Sequence, residues 1–286
     1  MSNILVTGSE GQLGQCFQAL AIEYPIHNLF FLSKKSLDIN KASSLDKVYD
    51  QNPFDGIINC AAYSNVDKAE IETEKAYETN ERGIKTLVSF AEKKNLFIVH
   101  FSTDYVFDGT SRILLKEEHA KNPVNHYAKS KLAGEKILSK ANCSHTTFRI
   151  SWLFSPFSNN FVKTILKLSK IKKEIRVVED QLGSPTYGID LARVILDNFT
   201  NLRFFDFECY HFTNKGGISW FEFAQKIIEI SKSDCSIKPC LTSEYETLAV
   251  RPKYSVLDTK RVENHLSLLI PDWEDALTRC FKKIQF

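Results

Sequence analysis

Tyr127 and Lys131 stand four apart in "NPVNHYAKSKLAGEK", and on a helix such positions share a face. A phenol beside an ammonium can transfer protons. Free tyrosine titrates at about 10, too high for ready exchange near neutrality. An ammonium about 4 Å away contributes on the order of 4 kcal/mol at an effective dielectric of about 20. That is at most about three pKa units. The pair therefore predicts a phenol acidic enough to protonate the oxyanion left when a carbonyl is reduced by hydride. Upstream, "LFIVHFSTDYVFDG" reads as a buried strand running out into Ser102, Thr103 and Asp104. Thr103 would hydrogen-bond the carbonyl oxygen and orient it. Thr103, Tyr127 and Lys131 are expected to form one catalytic set, with Lys131 also long enough to hold a nicotinamide ribose.

Such a set needs a cofactor site, and the first residues supply one. "NILVTGSEGQLGQCFQAL" begins as a buried-strand run, turns through glycines and continues as a helical pattern. Gly8, Gly11 and Gly14 have the spacing for a tight turn, a close approach to pyrophosphate and close helix–strand packing. The helix that follows would aim its free N–H groups at phosphate. The next strand, near "HNLFFLS", ends on Ser33, Lys34 and Lys35 rather than on an acid. An acid would bind a ribose 2′-hydroxyl and repel a 2′-phosphate. A hydroxyl with two cations favours NADPH, with NADH the alternative. A third strand, in "FDGIINCAAYSNVDKAE", leads into the small residues Ala61 and Ala62, at a strand end where ligands of open parallel sheets lie.

The alternation of buried strands and helices to about residue 150 predicts an α/β chain, a doubly wound parallel sheet, with the later residues building a smaller C-terminal substrate-binding lobe. The dinucleotide-binding part is placed at 1–150, with a return near 176–200; residues 151–286 are placed mainly in the lobe. Lys+Arg is 37 and Asp+Glu 35, so no strong field favours nucleic acid or an anionic membrane. The seven cysteines are scattered with no C-x-x-C pair, which fits reduced thiols in a cytoplasm. Cys235 and Cys240 have no second ligand pair nearby in sequence. The start shows no basic-then-apolar leader and no run approaches a membrane span. A soluble cytoplasmic protein is expected.

The glycine spacing is similar to that of extended short-chain dehydrogenases/reductases. Across the chain, "GQLG", "INCAAYSNVDKAE", "STDYVFDG", "NPVNHYAKSKLAGEK", "RISWLF", "NNFVKTILKL", "DQLGSPTY", "GISWFEFAQKI" and "RPKYSVLDTKR" occur in order from residue 11 to residue 261. Together they resemble the dTDP-4-dehydrorhamnose reductase family, whose fold is Rossmann-like. In "STDYVF", Asp104 is followed by Tyr105, not by the second acid of the related sugar-nucleotide dehydratases. The resemblance implies reduction of the C4 keto group of a dTDP-4-keto-6-deoxy-L-sugar, with dTDP-L-rhamnose as product. It implies catalytic roles for Thr103, Tyr127 and Lys131. Cofactor contacts fall on Gly11, Gln12, Leu13, Asp38, Ile39, Ala61, Ala62 and Tyr63. Thr103, Asp104 and Trp152 fall near the deoxysugar, and Asn160, Lys163 and Arg251 near the nucleotide's phosphates or base. Some family members join a dimer through a metal held by glutamates. The corresponding positions here are Cys16 and Ile189, beside Asp190, so no metal is expected and the state is monomer or homodimer. Two alternatives are a related reductase making the C4 epimer and a non-catalytic regulatory subunit like that of methionine adenosyltransferase.

Overall fold

The computed structural model describes residues 2–284. Five strands, β1 (Ser2–Thr7), β2 (His27–Leu32), β3 (Gly56–Asn59), β4 (Phe97–Thr103) and β5 (His145–Ile150), are joined by Cys209–His211 in one six-stranded sheet. Every pairing in it is parallel. Parallel strands need crossovers, and helices fill them. The order is β2-β1-β3-β4-β5 followed by Cys209–His211, so the chain reverses direction across the sheet between β1 and β3. Ligands of open α/β sheets bind at such a switch point.

The strands are apolar on both faces, as burial between two helical layers requires. Ile4, Val6, Ile58 and Val99 face one core with Leu13, Phe17 and Leu20 of the helix Gln12–Leu20 and Leu191 and Ile195 of the helix Gly188–Asn198. Their neighbours Leu5, Ile57 and Ile98 face the other core, with Leu45, Ile84, Leu87 and Leu138. That alternation is the period of two of a strand read against two helix layers.

Beyond β5, the strand Glu174–Val178 pairs with Ser236–Cys240, covered by the helices Phe161–Ser169 and Trp220–Ser231. Their inward residues Ile165, Ile175, Phe223 and Ile227 belong to the same cluster as one face of the main sheet. Within 176–200, Arg176–Val178 pair in this outer layer, Leu182–Gly183 pair with Ile218–Ser219 and Thr186–Tyr187 with Leu153–Phe154, whereas Gly188–Asn198 packs on Gln12–Leu20 against the sheet. This shared cluster joins sheet and outer layer, and residues from both line one cleft.

Candidate active site

β1 ends at Thr7 and the chain turns through Gly8, whose φ is +61°, a conformation that favours glycine. A Cβ on Gly8 would lie 2.6 Å from the Ala61 nitrogen, and one on Gly14 2.5 Å from the Gly8 oxygen. The glycines thus let the β1 turn press on the end of β3 and let the helix Gln12–Leu20 start directly beneath it. Gly11 caps that helix without a side chain, leaving its first N–H groups for an anion.

Two cavities flank this turn. One, about 250 Å³, is lined by Gly8, Gly11, Lys34, Asp38, Ile39 and the run Ala61–Tyr63. The second, about 380 Å³, begins at Gly11, Gln12 and Leu13 and continues to Thr103, Asp104, Tyr127, Lys131 and Trp152. The residues fit a dinucleotide: the glycine cradle admits no side chain, and Gln12 Nε2 is buried without a partner among the protein's own groups, as is Ser102 Oγ. Ser33 lies outside both linings, bonded weakly to Ser36.

The helix His126–Leu138 carries Tyr127 and Lys131. Asn125 starts it, accepting the Ala128 N–H at 2.8 Å and donating to the Val250 oxygen at 2.9 Å. Asn80 sits in a π-helical turn, Glu78–Arg82, a distortion that recurs at functional sites. Its side chain holds both polar backbone groups of Tyr63 and donates to Ser130. The cofactor loop and the tyrosine helix are therefore fixed to one another.

Thr103 closes β4. Its hydroxyl donates to Asp104 Oδ1 at 3.1 Å and accepts the Tyr105 N–H at 3.2 Å. Ser151 donates to the other Asp104 oxygen at 3.1 Å. Burial nevertheless pushes the Asp104 carboxyl up to about 6. Burial also pushes the Tyr127 phenol up to about 12, with Thr103 acting the other way. The expected acidifying partner is Lys131. The Lys131 amine donates to the Phe101 oxygen at 2.6 Å and lies 3.4 Å from His100 Nε2, and burial lowers it to about 8.

Trp152 adopts φ +47°, strained for an aromatic residue and typical of a clamp. Its indole is sandwiched between Gly183, where a Cβ would fall 2.6 Å away, and Trp220. Trp220 also lines a third cavity, about 270 Å³, with Phe161, Tyr245 and Arg251. The Arg251 fork is taken by Asp67, at 2.7 and 3.2 Å. Asn160 and Lys163 line none of the three cavities. Asn160 caps the helix Phe161–Ser169, and Lys163 donates to the Pro156 oxygen. Their neighbours Phe161 and Thr164 face the cavity instead. Trp220, Asn59 and Asp67 were not singled out by sequence. A tryptophan opening an amphipathic helix was the available signal for the first.

Cys16 and Ile189 are buried in the core beside the sheet. Asp190 is committed to Arg279 and Asn214. Among the described residues no group of three or more His, Cys, Asp or Glu converges as a metal site, and no helix is long and apolar enough to cross a membrane.

The family model described as the RmlD substrate binding domain matches residues 1–286. A dTDP-4-dehydrorhamnose reductase from Aggregatibacter actinomycetemcomitans is 35% identical over 97% of each chain. The chain belongs to the dTDP-4-dehydrorhamnose reductase family. A crystal structure of the Clostridium acetobutylicum dTDP-4-dehydrorhamnose reductase superposes with a TM-score of 0.94 at 35% identity, covering 99% of this chain and 100% of the other. The Bacillus anthracis dTDP-4-dehydrorhamnose reductase, solved in complex with NADP, superposes at 0.93 with 36% identity and 99% of both chains covered. This family membership is consistent with the missing second acid after Asp104: a reductase needs none.

Proposed function

We propose that the protein reduces the C4 keto group of dTDP-4-dehydro-L-rhamnose to give dTDP-L-rhamnose, using NADPH. The observation that carries this reading is the convergence of Thr103, Tyr127 and Lys131 on the cavity that begins at the glycine turn. Gly8, Gly11, Gln12, Leu13 and Gly14 would cradle the pyrophosphate, Lys34, Asp38 and Ile39 the adenosine end, and Ala61, Ala62, Tyr63 and Lys131 the remainder. NADPH, when bound, supplies the hydride.

The protein's own groups handle the oxygen and its proton. Tyr127 donates the phenolic proton to the C4 oxygen. Thr103 turns its hydroxyl from Asp104 toward that oxygen, and Asp104 keeps its bond to Ser151. A phenol with a high pKa in a dry site gives up its proton only as negative charge develops on the acceptor, which ties protonation to reduction. Trp152 and Trp220 wall the deoxysugar, and the cavity at Arg251 accommodates the nucleotide. Residues 1–150, rejoined near 176–200, would carry the cofactor, and 151–286 mainly the sugar nucleotide. The reaction is proposed for the cytoplasm, consistent with the seven free thiols, by a monomer or homodimer.

Purified protein mixed with the dTDP-4-keto sugar should oxidise NADPH and yield the rhamnose product by NMR. Tyr127→Phe should lower kcat by about a hundred- to ten-thousand-fold, the usual range for losing a general acid. No turnover with any 4-keto sugar nucleotide would remove the proposal.

A further inference from the structure

Alternate residues of β5 face opposite sides of the sheet. Phe148 belongs to the main core, whereas His145, Thr147 and Arg149 look the other way. Over them, between the helix His126–Leu138 and the sheet edge formed by Cys209–His211, lies a cavity of about 420 Å³. It is larger than either cavity flanking the glycine turn. Among the described residues it shares no lining side chain with those two or with the cavity at Arg251.

Four ionisable side chains lining it, Glu117, Glu135, His145 and Arg149, are each 9% exposed or less. Arg149 sets its fork on Glu135 at 2.8 and 3.0 Å. Glu117 accepts the His211 N–H at 2.9 Å, and Arg261 Nε lies 3.6 Å from its other oxygen. Each carboxylate thus has a guanidinium beside it and keeps lone pairs to spare, since the ionised group offers about four. His145 Nδ1 lies 3.0 Å from the Cys143 oxygen. A carbonyl only accepts, so the ring hydrogen sits on Nδ1. Nε2 of the neutral ring is then a bare acceptor, buried without a partner.

An unmatched buried acceptor is costly. With their charges already balanced, the inner groups call for uncharged donors, and hydroxyls meet that demand. Leu132 and Leu138 add apolar surface for the C–H face of the carbon frame that bears them. The outer charges ask for something else. Glu118 is held by Arg261 at 2.8 Å. That leaves the exposed Lys121 and Lys136 against Glu208, an excess of positive charge suited to an anion.

We infer that this cavity is a second binding site, for a small phosphorylated polyol of the sugar-monophosphate class. Its hydroxyls meet Glu117, Glu135 and His145, and its phosphate meets Lys121 and Lys136. An inorganic anion would leave the inner acceptors unmatched, and an uncharged sugar would leave the lysines so. Binding here does not depend on the reductase reading, because none of the lining residues is assigned to the cofactor or to the sugar nucleotide.

The experiment is NMR of the full chain labelled with ¹³C in its histidine rings, with and without NADP⁺ and dTDP. The His145 signal is assigned by its loss in His145→Gln. The probes are glucose 1-phosphate, glucose 6-phosphate, glucose and inorganic phosphate. One or both sugar phosphates should shift the His145 signal saturably, with glucose and phosphate each weaker by about ten-fold or more. Lys121→Ala together with Lys136→Ala should weaken the sugar phosphate by about ten-fold or more, the scale of a lost charge-assisted bond, and leave turnover within about twofold. NADP⁺ and dTDP should not displace it. No saturable shift with either sugar phosphate would overturn the inference. So would equal affinity for glucose or phosphate alone, an affinity indifferent to the two lysines, or displacement by NADP⁺ or dTDP. Failure of the reductase reading would show separately, as absent turnover with binding at His145 intact.

Discussion

The indole of Trp152 lies face to face on that of Trp220, with ring centroids 3.6 Å apart and planes within 11° of parallel. The two come from different parts of the fold. Trp152 follows β5 at the mouth of the catalytic cavity, and Trp220 opens a helix of the outer layer. Trp152 makes the stack from a left-handed backbone. The stack therefore sits between the catalytic cavity and the cavity at Arg251, and it is made of two side chains that each lose part of their surface to the other.

From this follows the effect of Trp220→Ala. Losing an aromatic stack and its apolar area costs about 1.5–3 kcal/mol, which should raise KM for the sugar nucleotide by about ten- to a hundred-fold. The cofactor KM should stay within about twofold, because Trp220 lines no part of the adenosine cavity. Steady-state kinetics in both substrates reads the split. An equal rise in both constants would mean that the stack supports the whole fold rather than one end of the cleft.

How much of this could be read from sequence depends on whether the signal was local. The strands β1, β3 and β4 announce themselves as short apolar runs, and the glycine turn between β1 and its helix is a local constraint. The Tyr127–Lys131 pairing is local too, being one helical turn. Trp220 carried only a weak signal, a tryptophan opening a helix, because an aromatic at the start of "WFEFAQKI" also has the spacing of a core face. The bonds of the Asn59 side chain with Thr7 on β1 and His100 on β4 were invisible for a deeper reason: the three are neighbours only through strand register, which no single segment encodes. Asn160 carried a second signal besides the one used. An Asn directly before the amphipathic run "FVKTILKL" is a helix start.

Asp104 makes stability depend on pH in a direction opposite to most carboxylates. Burial lifts its carboxyl from 3.8 to about 6. Between those values the folded protein holds a proton that the unfolded chain has released, so the group's contribution falls as pH rises through this window. Above it the cost of a buried charge is present in full, about 3 kcal/mol. Asp104→Asn removes the charge. Relative to the parent, its unfolding free energy should improve by about 2–3 kcal/mol on going from about pH 4 to about pH 7.5, while its activity drops. Urea denaturation at both pH values measures this. A variant-minus-parent difference that is the same at both would sink the assignment of a buried, proton-holding Asp104.

Arg251 and Asn160 separate a binding role from a structural one. Arg251 lines the cavity it shares with Trp220 and Tyr245, with its planar fork resting on Asp67. Asp67 is partly exposed, so their ion pair adds little to stability. A diphosphate could take over the fork with bidentate geometry. Asn160 instead spends its side chain on the Ser155 and Phe157 oxygens and on the Lys163 N–H. Arg251→Ala should therefore raise KM for the sugar nucleotide by about ten-fold or more, a charge-assisted bond being worth about 1.5–3 kcal/mol, with its unfolding free energy nearly unchanged. Asn160→Ala should do the reverse, costing about 1 kcal/mol of stability as a lost helix cap and leaving KM alone. Kinetics and denaturation on the two variants side by side decide it. An Asn160→Ala protein of parental stability but poor substrate affinity would return Asn160 to the binding site and displace the cap as its role.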